Sequence, residues 1–264
     1  MMKNIFLVLI VLSTLYGCKK KGCTDESAEN YNANATHNDG SCTYSAIDSI
    51  KILITPIYNG TDLYLDSVYN TIEGYGVKFT TISFFMSQLN NQEDTINVAS
   101  IYDFREKGTF LLGAAKDYNI FTELQGLVGV DSFNNHSDPS AFDTGSDLNI
   151  ENAGTMHWSW NTGYIFINIE GKVDTLSNDM FNHNFSFHIG TDALLQTCYF
   201  ENLSWEQTGE NEHTLNLQLD LSSFLAATGN SIDLKDEFLT HSNNSQQMLS
   251  DKVVANFINA LSVP

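Results

Sequence analysis

Met156-His157-Trp158-Ser159-Trp160-Asn161-Thr162-Gly163-Tyr164 sets a thioether, an imidazole and two indoles within five residues. Asn135-His136-Ser137-Asp138-Pro139 precedes it and Phe187-His188-Ile189-Gly190 follows it. Three of the seven histidines therefore lie in or near segments rich in Trp, Met and Phe. Nitrogen and soft sulfur donors in an aromatic, water-poor setting suit copper better than magnesium or calcium. The plainer reading of the same residues is a β-strand whose aromatics are core. Other chemistries lack their residues: there is no Gly-x-Ser-x-Gly elbow, no His-Glu-x-x-His helix and no Cys-x-x-Cys pair. Gly74-Tyr75-Gly76-Val77-Lys78 lacks the spacing of a phosphate loop.

The elements that must position these residues read as mainly β. Ile50–Ile54, Val77–Phe84, Thr95–Tyr102, Thr109–Leu112, Phe121–Val130, Gly163–Ile169, Asn184–His188 and Thr214–Leu219 are short strand candidates with turn signals between them. Asn59-Gly60 is a hairpin signal, and Leu63–Tyr69 is its expected second arm. The pattern predicts a β-sandwich of antiparallel strands. Asn134–Ala153 is the longest loop candidate, polar and placed to fold over a site at the sandwich edge. Ser222–Thr228 predicts a short helix. Val253, Val254, Phe257, Ile258 and Leu261 recur at helical spacing and predict a C-terminal amphipathic helix over Ser250–Leu261.

The N-terminus reads as a targeting device. Lys3 is followed by the apolar run Ile5–Leu15, too short for a permanent membrane span. Leu15-Tyr16-Gly17-Cys18 resembles a bacterial lipobox, which implies cleavage before Cys18 and a lipid on Cys18. Several acyl chains on one residue hold a protein on a membrane stably. Residues 1–17 are thus a lipoprotein signal peptide and 18–22 a lipidated Cys with a lysine stalk. The expected location is the bacterial cell envelope, on the outer membrane, its periplasmic face or the cell surface.

Residues 23–44 are polar and too poor in aliphatics to build a core, so Cys23 and Cys42 are expected to pair as a staple in an oxidising compartment. The segment resembles a small module of exported bacterial proteins, with its Gly-Cys-Thr-Asp start, central Asn-Tyr-Asn and Asp-Gly-Ser-Cys end. Asp25, Asn30, Asn32 and Asp39 offer oxygens of the kind calcium takes, without EF-hand spacing. Cys198, in an apolar stretch, reads as a buried thiol or as a further soft copper ligand. The formal net charge is −20, which leaves no basic surface to neutralise phosphates and argues against nucleic acid as a partner.

Across 45–264 the chain resembles the MbnP-like family of exported copper-binding proteins. Four segments carry the resemblance. They are Val77-Lys78-Phe79 leading to Phe84-Phe85-Met86-Ser87, then Asn135–Pro139, Met156–Phe166 running on to Glu170-Gly171, and Phe187–Gly190. The resemblance implies a β-sandwich and extracytoplasmic copper. For some members it also implies a tryptophan oxidised to kynurenine by a partner dihaem enzyme. It makes His136 and His188 the first metal ligands and places Trp158 and Trp160 on the paired tryptophans. His157, expected on a strand to point away from Met156 and Trp158, ranks after them. Met156 and His241 follow, and His37, His183 and His213 are read as solvated. Related kynurenine sites carry a His two residues after the modified Trp, where this chain has Trp160.

Two functions compete at this stage. The first is a lipid-anchored copper-binding protein with no turnover of its own, for copper capture, storage or delivery. The second is a surface module that binds carbohydrate or protein through exposed Trp and Tyr. Convergence of His136, His188 and a Trp favours the first; a flat exposed Trp strip with scattered histidines favours the second.

Overall fold

A computed structural model describes residues 19–44, 48–105, 110–115, 117–159 and 163–264. Residues 1–18, with the expected signal peptide and Cys18, and Trp160 lie outside the described residues. The chain divides into two compact units, Met1–Ala46 and Ile47–Pro264. Among the described residues no helix is long and apolar enough to cross a membrane.

In the small unit, Lys21–Gly22 and His37–Asn38 pair in parallel over two residues each. Cys23 and Ala28 are its buried apolar side chains among the described residues, so packing contributes little. The Cys23–Cys42 disulfide supplies the missing constraint. The four oxygen-bearing side chains turn onto their own loops. Asp25 accepts from the Ser27 and Tyr44 hydroxyls, Asn30 from Thr43 N, Asn32 from Asn34 N and Asp39 from Ser41 N. Closing a loop of 19 residues contributes roughly 3 kcal/mol. Reduction is therefore expected to raise amide exchange throughout residues 19–44 and to leave the unfolding temperature of the larger unit unchanged. A shift in that temperature would count against the staple acting locally.

The larger unit is built from β1 (Asp48–Tyr58), β2 (Gly76–Asn90), β3 (Ala99–Asp103), β4 (Phe110–Ala115), β5 (Leu124–Val128), β6 (His157–Ser159), β7 (Gly163–Asp174), β8 (His183–Gly190), β9 (Gln196–Phe200), β10 (Trp205–Gly209) and β11 (Glu212–Asp220). Its main helices are α1 (Ser132–Asn135), α2 (Ile150–Ala153), α3 (Leu221–Leu225) and α4 (Gln247–Ala260). One sheet runs β9-β5-β2-β7-β8, with Leu239–Thr240 added in parallel outside β8 and β3 on β2. The other runs β10-β11-β1, with β4 also on β1.

The expectation of an all-antiparallel sandwich needs correction at β1 and β11, which pair in parallel from Glu212↔Ser49 to Asp220↔Ile57. Parallel neighbours need a long crossover, and the chain between them builds the other sheet apart from its outer strand Leu239–Thr240. The second arm of the Asn59-Gly60 hairpin is also shorter than expected. Both turn residues have positive φ, as a tight primed turn requires, but only Thr61–Asp62 pairs. Asp66 then takes φ 65° and Ser67 N donates to Tyr64 O, which turns the chain away.

The main core lies between the sheets. Ile50, Ile52 and Ile54 of β1, Val77, Phe79, Ile82, Phe84 and Met86 of β2, and Phe185, Phe187 and Ile189 of β8 belong to it. α4 seals it with Val253, Val254 and Phe257, the last set edge-on to Phe84 at 5.0 Å. The register of α4 follows the apolar spacing read from the sequence. A second, smaller cluster forms on the outer face of the first sheet from Phe85, Val130, Leu148, Met156, Tyr164 and Phe166. Residues 131–156, which include the expected loop Asn134–Ala153, cover it. Tyr164 OH donates to Leu148 O, and Ile101 N donates to Asp147 at 2.8 Å. The loop is therefore sewn to the outer face by buried polar bonds as well as packing.

Candidate metal centre

β8 alternates Phe185, Phe187 and Ile189 into the main core, which turns Ser186, His188 and Gly190 outward. His188 Nε2 lies 2.8 Å from Glu170 Oε1 on neighbouring β7, and Ser186 Oγ lies 3.1 Å from the same nitrogen. Glu170 also accepts from Thr81 at 3.2 Å and from Ser186 at 3.4 Å. A carboxylate only accepts, so Nε2 is the donor to Glu170. This is the usual way in which a carboxylate orients a metal-binding imidazole.

His241 stands beside His188, its ring parallel within 9° at 4.9 Å between centroids. Ser242 ties the segment down: its hydroxyl donates to His188 O and accepts from Gly190 N, both at 3.0 Å. Burial holds the His241 imidazole below its ordinary pKa, the nearby His188 pushes the same way, and Glu170 opposes. Asn168 of β7 lies directly opposite His188 across the ladder. It is 6 % exposed, and its side-chain oxygen has no hydrogen-bond partner.

Trp158 comes from the other side. A Cβ on Gly190 would meet the Trp158 ring at 2.6 Å and Tyr164 O at 2.8 Å, so the indole rests on the glycine backbone where any side chain would collide. Trp158 is half-buried and also packs on the outer cluster. The indole therefore lies on the face that carries His188, two residues along β8. His157 pairs across from Tyr164, edge to face at 4.8 Å, and burial lowers its pKa.

His136 caps the C-terminus of α1 and lies 3.1 Å from Asp192 Oδ2. Asp192 also accepts from Asn135 at 2.8 Å and from the Ser132 hydroxyl. Burial pushes the Asp192 pKa up, and the bonds from Ser132, Asn135 and His136 outweigh it and hold the carboxyl low. His136 and His188 thus flank the ends of one short segment, His188–Asp192, with Trp158 over Gly190 in its middle. Each imidazole is held by its own carboxylate. Among the described residues no three His, Cys, Asp or Glu side chains stand close enough together to hold a metal ion.

The sulfur donors are elsewhere. Cys198 is buried in the main core between the sheets, where burial pushes its thiol up to about 12, so it is no soft ligand for the histidines. Met156 is enclosed in the outer cluster. His213, expected to be solvated, is 7 % exposed and stacks on Tyr118 at 3.5 Å, because β11 turns it under the Tyr118 ring. His183 is half-buried against Phe238. His37 is exposed.

A cleft of about 300 Å³ opens beside Glu170 and Ser186, lined also by Thr80, Lys172 and Asn184. A larger one of about 420 Å³, lined by Gln88, Asn90, Gln125 and Tyr199, carries no imidazole. We take the smaller as the approach to the site because it touches the residues that hold His188.

No curated protein matches the sequence. A solved structure, MbnP from Methylosinus trichosporium, is similar in fold, with a TM-score of 0.50 and 14% identity over 71% of this chain and 79% of that one. The model of the MbnP family matches residues 48–248. That match spans most of the chain, and it shows that the protein belongs to the MbnP family.

Proposed function

We propose that the protein binds copper on the outer face of its first sheet, with no turnover of its own, for capture, storage or delivery of the metal. The observation that carries this reading is His188. Its Nε2–H is taken by Glu170, a second imidazole stacks on it, and Trp158 lies over Gly190 two residues along β8. Imidazole nitrogens in a partly dry, aromatic surround suit copper. Oxidation of Trp158 or Trp160 to kynurenine by a partner dihaem enzyme would replace an indole with an aryl amine and a ketone, both metal donors. Trp158 is half-buried against Gly190 rather than part of a flat exposed strip, which weakens the carbohydrate-binding alternative.

Protein purified from its native host is expected to carry copper. Its 157–164 peptide is expected to show the mass of one added oxygen and one lost carbon. The same chain made without the oxidising partner should lack that mass change and bind copper more weakly. Copper-free native protein with unmodified tryptophans would sink the reading. The cell-envelope location rests on Cys18. Cys18→Ser is expected to move the protein from the membrane fraction to the soluble one, and unchanged fractionation would remove the lipid anchor from the proposal.

A further inference from the structure

We infer that the cleft of about 420 Å³ at the β9–β5 edge of the first sheet is a second binding site, for a neutral carbohydrate. It lies across β2, β5 and β9, whereas the copper reading concerns β7 and β8. The two sites stand or fall separately.

Leu124, Val128 and Cys198 point into the main core, which turns Gln125 and Leu127 of β5 and Thr197 and Tyr199 of β9 to the outer face. Tyr199 pairs with Gln125, and Gln125 with Asn90 of β2, so the three form one row across the strands. Thr197 and Leu127 form the next row. The ladder between β2 and β5 is irregular from Ser87 to Asn90, and Gln88 there takes φ 52°. Such an angle is unfavourable for a residue with a Cβ, and a bulge of this kind re-aims the side chain that it carries. Gln88 is exposed and lines the cleft. The close approach of β2 requires glycine at 126, where a Cβ would meet Leu89 at 2.6 Å and Ser87 O at 3.0 Å.

The lining offers what a sugar ring takes. Tyr199 is 53 % exposed, and its hydroxyl donates to Glu123 at 2.5 Å, which also accepts from Gln92 at 3.1 Å. The aromatic ring is thereby held by its polar end before any ligand arrives, which lowers the cost of ordering it on binding. The C–H face of a pyranose is apolar and packs on such a ring. Leu127 adds aliphatic surface beside it. Gln125 spends one N–H on Asn90 Oδ1 at 3.0 Å and keeps its carbonyl oxygen as an acceptor. Asn90 is itself fixed by Gln92 N at 2.9 Å. Gln88 and Thr197 are exposed and bring further donors and acceptors.

Charge decides the class of sugar. Among the described residues no lysine, arginine, aspartate or glutamate lines the cleft, in a chain with 32 acidic residues. An anionic ligand would lose its water there without gaining a cation. Glu123 stands behind Tyr199, each of its oxygens already accepting a bond. Side-chain amides and a hydroxyl both donate and accept, as the hydroxyls of a neutral sugar do. The volume also lies within the range of about 300–1,000 Å³ that small-molecule sites occupy.

The test titrates the full chain with cellohexaose, laminarihexaose, mannohexaose and xylohexaose by calorimetry, with polygalacturonate as the charged comparison. Saturation-transfer nuclear magnetic resonance reports which sugar protons touch the protein. Wild type is expected to bind at least one neutral hexaose and to leave polygalacturonate unbound. Tyr199→Ala is expected to weaken hexaose binding by about 10-fold or more through loss of the ring. Tyr199→Phe, which keeps the ring and loses the bond to Glu123, and Gln125→Ala should each weaken it by about 2- to 10-fold. Each variant is checked for fold by circular dichroism, and each is expected to keep the copper affinity of wild type. Failure of wild type to bind any of the hexaoses overturns the inference, as does equal binding by Tyr199→Ala and wild type. Preference for polygalacturonate overturns it too, and so does a loss that falls on Trp158→Phe in place of Tyr199→Ala. Hexaose binding that depends on Tyr199 in a chain that takes up no copper supports this site and overturns the copper reading alone.

Discussion

His188→Ala is expected to abolish copper binding at pH 7. Its ring is the best-supported nitrogen on the outer face, at 18 % side-chain exposure and 2.8 Å from the Glu170 carboxylate. Its removal leaves Glu170 without its imidazole and leaves the metal without the ligand opposite Asn168. A site of few ligands has no substitute, so the loss should exceed the roughly 10- to 100-fold typical of changing a group that only holds a ligand in place. Glu170→Gln should fall within that smaller range. A glutamine can still accept through its carbonyl, so the ring is held, but the donor basicity lent by the carboxylate is lost. Acid should act like the substitution. Metal binds the neutral imidazole, so protons compete with copper and acid releases it. Isothermal titration of wild type and both variants between pH 5 and 8 checks this order. Equal affinity of His188→Ala and wild type would remove His188 from the site.

The parts of the fold legible in the sequence were those set by local periodicity. The alternation in β8 and β11 follows from one face packing in the main core, the apolar runs Phe84–Met86 of β2 and Tyr164–Ile167 of β7 follow from burial on both faces, and the spacing of Val253, Val254 and Phe257 follows from α4 lying on the core. The staple was legible because residues 23–44 have almost nothing else to hold them. Pairings between distant segments were not. Nothing local tells β11 to lie parallel to β1, since that choice depends on the crossover between them. Leu63–Tyr69 carried alternation, yet the turn at Asp66 overrode it. At the site, His188 and Trp158 were legible as motif residues. His241 ranked low because it stands in a polar segment, Thr240 to Gln247, without aromatic company. Only the strand Leu239–Thr240, added outside β8, carries it to His188. Asn168 gave no signal at all, since a buried unpaired amide is visible only once its neighbours are placed.

Gly163→Ala is expected to detach the loop that carries His136 while the sandwich stays folded. Gly163 has φ 74°, a region that costs an alanine about 1–2 kcal/mol. Its added Cβ would also come within 2.2 Å of Asn135 Oδ1 and 2.7 Å of Asn135 O. Asn135 is 2 % exposed and acts as a rivet. Its oxygen accepts from Tyr164 N at 2.9 Å, and its amide donates to Asp192 at 2.8 Å. Driving it away leaves the buried Tyr164 N–H unpaired, a further cost of about 1–3 kcal/mol. The two effects together come to roughly 2–5 kcal/mol, concentrated on the cover over the outer cluster. Amide exchange is therefore expected to rise first across 131–156. The near-ultraviolet signal of Trp158 should weaken, because its support from that cluster loosens. Asn135→Ala should cost about 1–3 kcal/mol through the same lost acceptor without the backbone strain. The double variant should then cost less than the sum of the two, since the nearer collision partner, the Asn135 side-chain oxygen, is already gone. Additive losses would mean that Gly163 acts through its backbone angle alone. A Gly163→Ala chain within about 0.5 kcal/mol of wild type would mean that the loop does not depend on this contact.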